Sequence, residues 1–178
     1  DEPKVLFVGS EAHRKNFTQA LQALSLIVKV APNVKLIKVG KAQFPDVRQK
    51  HLELIEKLDL QKHVIFTGFV EEEDLVKWYN RATLLLLPSL SEAGFTLPVA
   101  EAMASGCPCV VSDLPVLRET VQDAALFVNP NDSNNIAQQC LRFIEDASLR
   151  DVYRKKGLKQ TSSLTWAKSS DLMLDYYS

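Results

Sequence analysis

Leu84-Leu85-Leu86-Leu87-Pro88-Ser89-Leu90-Ser91-Glu92-Ala93-Gly94-Phe95-Thr96-Leu97-Pro98-Val99-Ala100-Glu101-Ala102-Met103-Ala104-Ser105-Gly106 reads as strand, turn and helix in succession. Four consecutive leucines predict a strand buried on both faces, as in a parallel sheet. A turn containing Gly94 follows. Pro98 suits an early helical position, and Gly106 with Pro108 beyond it stops the helix, which is expected over residues 98–105. Strand, glycine turn and helix start together make a place for an anion, because unpaired backbone N–H groups and the positive helix end point at it. Glu92 in the turn and Glu101 in the helix flank that place.

Outward from this stretch the chain alternates strands and helices. Val5 to Val8 predicts a first strand ending at Gly9. Asn16 is a suitable N-cap for a helix over residues 17–30, whose apolar positions Phe17, Ala20, Leu21, Leu24, Ile27 and Val28 share one face. A second strand is expected over 34–39, ending at Gly40, and a helix over 46–59. A third strand covers 64–66, closed by Thr67-Gly68, with a short helix near 72–80. Beyond the organising helix come a strand over 109–112 and a short one over 126–128. Asp132 caps a helix carrying Ile136, Cys140, Phe143 and Ile144. Two more helices are expected over 148–160 and 166–177, the last capped by Thr165. This order predicts an α/β fold: a Rossmann-like parallel sheet of about six strands flanked by helices, with right-handed crossovers. No repeat or linker interrupts it, so residues 1–178 are expected to form one domain. Ligands of such sheets bind beyond the carboxyl ends of the strands. Gly9 to Lys15, Gly40-Lys41, Gly68 to Glu72, Ser89 to Leu97 and Asp113 all fall on that edge.

The totals exclude several classes. The chain has 178 residues, of which 46% are hydrophobic and 24% charged, with a net charge of -1. No excess of basic charge calls for a nucleic-acid partner. No apolar run approaches the roughly 20 residues of a membrane span, and no signal peptide is visible. Three cysteines form neither a disulfide framework nor a zinc spacing, which favours a cytoplasmic setting. The chain starts without methionine and enters its first strand at once, as a piece of a longer polypeptide would. The three-glycine dinucleotide fingerprint is absent after the first strand, and Gly40-Lys41 lacks the glycine that a P-loop requires, so it is read as a surface loop. His51 and His63 read as incidental. Trp166, Trp78 and Tyr79 read as helix packing, and Cys107 and Cys109 as core thiols. Arg14 and Lys15 sit where a helix start disfavours cations, a local violation that points to function.

Pro88-Ser89-x-x-Glu92 … Gly94-Phe95-x-Leu97-Pro98-x-x-Glu101-Ala102-Met103-Ala104-x-Gly106-x-Pro108-x-Val110-Val111-Ser112 resembles the signature of retaining glycosyltransferase family 4, the glycosyl transferases group 1. Gly9 followed by Arg14-Lys15-Asn16, Val64-x-Phe66-x-Gly68-x-Val70, Asp123-Ala124-Ala125-x-x-Val128-x-Pro130 and Thr165-Trp166 extend the likeness over the whole chain. The resemblance implies the C-terminal, donor-binding half of a two-domain GT-B enzyme. Its partners would be a nucleoside diphosphate sugar and an N-terminal acceptor domain. Any membrane contact would come through that other half.

The resemblance also implies roles residue by residue. Glu101 would bind the ribose hydroxyls; on the residues alone it is simply an acid near a helix start. The family places seven residues between its two acids, a spacing that lands here on Ala93, so Glu92 is expected to be the sugar-facing acid displaced by one inserted residue. Lys15 would contact the diphosphate. Ser10 replaces the arginine that often follows the first glycine, and Arg14 is the compensating cation. Lys15, Arg14 and Glu92 would then carry the catalysis. Gly9, Phe69, Val70, Glu72, Gly94, Phe95, Thr96, Leu97 and Glu101 would complete the nucleotide-sugar site. Glu71 or Glu72 could accept from guanine, which makes GDP-mannose the first guess over a UDP-sugar. No Asp-x-Asp pair is present, so neither metal nor other cofactor is expected. The alternatives are a non-catalytic binding module that kept the fold, or a nucleotide-sugar epimerase or phosphorylase.

Overall fold

The computed structural model describes residues 2–94 and 96–162, with Ser170, Met173, Leu174 and Tyr176. Six strands form one parallel sheet in the order β3-β2-β1-β4-β5-β6. They are β1 Lys4–Val8, β2 Lys35–Val39, β3 Val64–Gly68, β4 Leu84–Leu87, β5 Cys109–Ser112 and β6 Ala125–Val128. Among the described residues seven α-helices connect and cover them: α1 Phe17–Ile27, α2 Pro45–Lys57, α3 Glu72–Arg81, α4 Leu97–Ala104, α5 Pro115–Val121, α6 Ser133–Glu145 and α7 Ala147–Thr161. The expected Rossmann-like α/β architecture is present.

The four leucines of β4 alternate between two cores, as period-2 side chains must. Leu84 and Leu86 enter the layer built on α1, α2 and α6 with Phe17, Leu24 and Phe143. Leu85 and Leu87 enter the layer with Val99 and Met103 of α4 and Leu117 of α5. Burying both faces explains why the strand is a continuous apolar run.

The topology places the site. Chain order reverses between β1 and β4, which are direct neighbours in the sheet. The loops leaving these two strands diverge to opposite faces, and a crevice opens between them at the switch point. The loop after β1 carries Gly9 to Asn16, and the loop after β4 carries Pro88 to Thr96.

Two local expectations change. Helix α5 was not expected; Pro115 opens it, and only Leu117 and Val121 are buried in its seven residues. Asn16 stands at the cap position of α1 but does not cap it: its backbone is left-handed, with φ 59°. Its Nδ2 donates instead to the Pro88 carbonyl at 2.9 Å and the Pro130 carbonyl at 2.7 Å. It thus bolts the β1 loop to the ends of β4 and β6. Asp132 does cap α6, accepting from the Asn134 and Asn135 amides. Thr165, Trp166 and most of the helix expected over 166–177 lie outside the described residues.

Candidate functional site

The two loops meet through charge. After β1 the chain makes a short 3-10 turn, His13–Lys15. The Arg14 carbonyl accepts from the Leu90 amide at 2.8 Å, which fixes this turn against the β4 loop. Lys15 Nζ then donates to Glu92 Oε1 at 2.6 Å, and Arg14 Nη1 to Glu92 Oε2 at 3.2 Å. The Lys15 and Glu92 side chains are only 10% and 8% exposed, whereas Arg14 is 53% exposed. Lys15 is therefore no solvated helix start. Burial works to raise the Glu92 carboxyl, but the Lys15 hydrogen bond and the charges of Lys15 and Arg14 hold it below the ordinary carboxylate range. The acid is ionised at neutral pH.

A cavity of about 580 Å³ opens here, lined by Arg14, Ser91, Glu92, Ala93 and Gly94. Ala93 is exposed while the Glu92 side chain turns inward. The residue that displaces the acid by one position is accommodated on the solvent side, and the carboxylate still enters the crevice. The start of α4 faces the same region. No side chain caps it, and Pro98 supplies no N–H. Val99 donates to the Thr96 carbonyl, and the Thr96 hydroxyl to the Gly94 carbonyl. Leu97 is the first residue of the helix. Phe95 lies outside the described residues.

The remaining expected site residues divide. Gly9 ends β1 with φ 141°, and its amide donates to the Val39 carbonyl. A side chain on Gly9 would meet Lys15 Cε at 3.9 Å, so Lys15 arches over this glycine. Glu101 is exposed, and its Oε2 accepts from the Tyr79 hydroxyl at 2.9 Å. Tyr79 is thus more than packing: its buried ring carries the hydroxyl to Glu101. Burial and the adjacent Glu101 charge both push the phenol pKa up, so it remains a donor. Phe69 is exposed, with Lys41 Nζ 5.1 Å from its ring centre. Val70 packs against the α4 side of the core, and Glu72 is exposed at the start of α3. These groups sit on the same edge of the sheet as the Lys15–Glu92 pair.

The least anticipated group lies beneath the β1 loop. Glu11 is buried and receives both Arg48 Nε, at 2.9–3.0 Å to its two oxygens, and Arg48 Nη2. His51 Nδ1 is 3.2 Å away and Lys38 Nζ 3.4 Å. His51 is therefore not incidental. Its ring stacks edge-on to Phe17 and its Nε2 lies 3.4 Å from Thr18 Oγ1. Burial lowers its pKa despite the Glu11 carboxylate, so it is neutral at pH 7 and donates from Nδ1. One signal was available: Lys38 places a charge among Leu36, Ile37 and Val39 in the buried part of a parallel strand, where it needs a buried partner. Among the described residues no three His, Cys, Asp or Glu side chains cluster as a metal site, and no described helix is long and apolar enough to cross a membrane. Cys107 and Cys109 are buried thiols with raised pKa, Cys107 to about 12.

Known proteins resemble this chain in sequence and in fold. Residues 1–160 match the family described as glycosyl transferases group 1. The O-antigen chain mannosyltransferase B of Escherichia coli is 32% identical over 97% of this chain and 45% of its own length. The phosphatidyl-myo-inositol mannosyltransferase of Mycolicibacterium smegmatis is 27% identical over 97% of this chain and 44% of its own length. The chain thus spans less than half the length of these curated relatives. Sucrose-phosphate synthase from Thermosynechococcus elongatus superposes with a TM-score of 0.85 at 29% identity, over 99% of this chain and 45% of that one. The C-terminal domain of a glycosyl transferase group 1 protein from Francisella tularensis does so with a TM-score of 0.80 at 25% identity, over 90% of this chain and 85% of that domain.

Proposed function

This chain belongs to the glycosyl transferases group 1 family, and on that premise we propose that it is the donor-binding domain of a retaining glycosyltransferase. The donor is a nucleoside diphosphate sugar, with GDP-mannose the first candidate and a UDP-sugar the second. The acceptor is a glycan or lipid-type hydroxyl, presented by a second domain at the open edge of the crevice. The mannosyltransferase names of the relatives support the sugar. One observation carries the reading: buried Lys15 and inward-turned Glu92 face each other across the β1–β4 switch point.

The chemistry follows from charge. When the bond between the sugar C1 and the diphosphate oxygen breaks, its electron pair stays with the phosphate. Lys15, Arg14 and the uncapped start of α4 offer positive charge and N–H donors where that negative charge grows. They need no metal to do so. Glu92 now occupies both cations, so an arriving diphosphate must take them over and free the carboxylate toward the sugar. Glu101, steadied by Tyr79 through Oε2, keeps Oε1 for the ribose diol. The 178 residues would then bind donor but transfer nothing without the acceptor domain.

Calorimetric titration of the full-length protein with GDP, UDP and ADP, with and without EDTA, tests this. One nucleotide should bind, unaffected by EDTA. Charge-assisted bonds contribute about 1.5–3 kcal/mol each, so Lys15→Ala should slow transfer roughly tenfold to a hundredfold. An unchanged rate in that variant would sink the leaving-group role.

A further inference from the structure

We propose that Glu11 is a positioning residue for the phosphate-binding loop, and that Arg48 and Lys38 hold it in that role. The inference rests on the reading of Lys15 as a diphosphate ligand. Four of its observations are independent of that reading.

First, Glu11 belongs to the loop itself, four positions before Lys15, yet its side chain is 0% exposed and turns away from the crevice. Second, every group gripping it comes from other elements: Lys38 from β2, and Arg48 and His51 from α2. Third, Lys38 Nζ also donates to the Gly40 carbonyl at 2.9 Å, so the same ammonium ties down the loop after β2. Fourth, the two loops touch. A Cβ on Gly40, where φ is 117°, would come within 2.6 Å of the Gly9 carbonyl oxygen. The backbone beneath Lys15 is thus pinned by a carboxylate on one side and by a glycine contact on the other.

The arrangement suits orientation rather than recognition. Arg48 grips both carboxylate oxygens, a geometry that fixes direction as well as distance. The guanidinium is itself laid over the Phe66 ring, 3.9 Å from its centre. Asn16 locks the far end of the same loop. Between the two locks stand Ala12, His13, Arg14 and Lys15, and the last two reach Glu92 across the crevice. Electrostatic stabilisation of a leaving group works best when the donors are already in place before the reaction. Glu11 supplies that preorganisation without touching the ligand.

A merely structural role would weaken every ligand contact alike. A positioning role for this loop weakens only the phosphate-dependent part. The test compares Kd for a nucleoside diphosphate with Kd for the matching nucleoside, in the full-length protein, for Arg48→Lys, Glu11→Gln and Lys15→Ala. Arg48→Lys keeps the charge and loses the two-pronged grip; it stands in if Glu11→Gln fails to fold. Its diphosphate Kd should rise about threefold to tenfold, the scale of one net hydrogen bond, with the nucleoside Kd unchanged. Equal losses for both ligands, or no loss for either, would overturn the positioning role. Diphosphate binding that is lost in Lys15→Ala but spared in Arg48→Lys would overturn it while leaving the proposed function standing. No diphosphate binding by the unaltered protein would overturn both.

Discussion

Glu11 and Glu92 are two carboxylates on one sheet edge, each gripped by a lysine and an arginine, yet they are built to different ends. Glu11 has three partners from two other elements, and its side chain has no exposure to solvent. Glu92 is held by two side chains of one loop, and one of these, Arg14, is half exposed at a cavity. A buried pair with full satisfaction is fixed, since breaking it strands a charge. A pair at a cavity mouth can exchange one partner for another of like charge. The same chemistry thus makes a rivet at Glu11 and an exchangeable contact at Glu92.

The largest effect should come from breaking the rivet. Glu11→Ala leaves Lys38 wholly buried and Arg48 mostly buried, without their counter-charge. Uncompensated buried charge costs about 3–5 kcal/mol. Urea unfolding of the variant should show that loss. A loss under about 1 kcal/mol, the scale of a surface ion pair, would mean that the cluster is looser than its distances imply.

The two sites also differ in how far the sequence reveals them. The crevice was legible. Apolar runs such as Leu84–Leu87 locate strand ends, and in a parallel sheet those ends line up along one edge. Gly9 to Lys15 and Ser89 to Leu97 therefore fall on one edge by sequence alone, and the likeness to a known signature singles out Lys15, Glu92 and Glu101. The Glu11 cluster was not legible, because its members are spread over 40 positions, on a loop, a strand and a helix. Neither period-2 nor period-3.6 patterning links them. Helix α5 escaped because seven residues give two buried positions, too few to establish a helical period. Asparagine favours helix caps, but the left-handed backbone of Asn16 and the bonds from its Nδ2 to carbonyls just beyond β4 and β6 commit the side chain elsewhere.

The next effect concerns the exchangeable contact. Glu92→Gln removes a negative charge that now competes with the diphosphate for Lys15 and Arg14. The fold should lose at most about 2 kcal/mol, since the amide can still accept from Lys15. Affinity for the free nucleoside diphosphate should rise about threefold to tenfold, while sugar transfer by the full-length protein falls. Calorimetry and a transfer assay on one preparation read both. Weaker diphosphate binding in Glu92→Gln would show that the carboxylate orients Lys15 rather than occupying it, and the two acids would then be alike after all.

The smallest effect separates the two clusters by pH. Burial holds His51 below its ordinary value of 6.5, whereas hydrogen bonds and neighbouring cations hold Glu11 and Glu92 below 4.5 against the effect of burial. In each case the unfolded chain binds the proton first as the pH falls, so stability is fully present above the ordinary value and lost below it. Melting temperature should therefore drop in two stages, the first beginning near pH 6.5 and the second within the carboxylate range. The first stage belongs to the rivet alone. Protonating His51 adds a third cation beside Arg48 and Lys38, with Glu11 as the carboxylate they share. His51→Gln, whose amide can still donate to Glu11, should flatten the first stage and leave the second. Glu92→Gln should leave the first and shrink the second. If the unaltered protein melts at one temperature from pH 7 to pH 5, His51 does not stand neutral in that cluster, and the contrast between a closed and an open carboxylate loses its clearest solution signature.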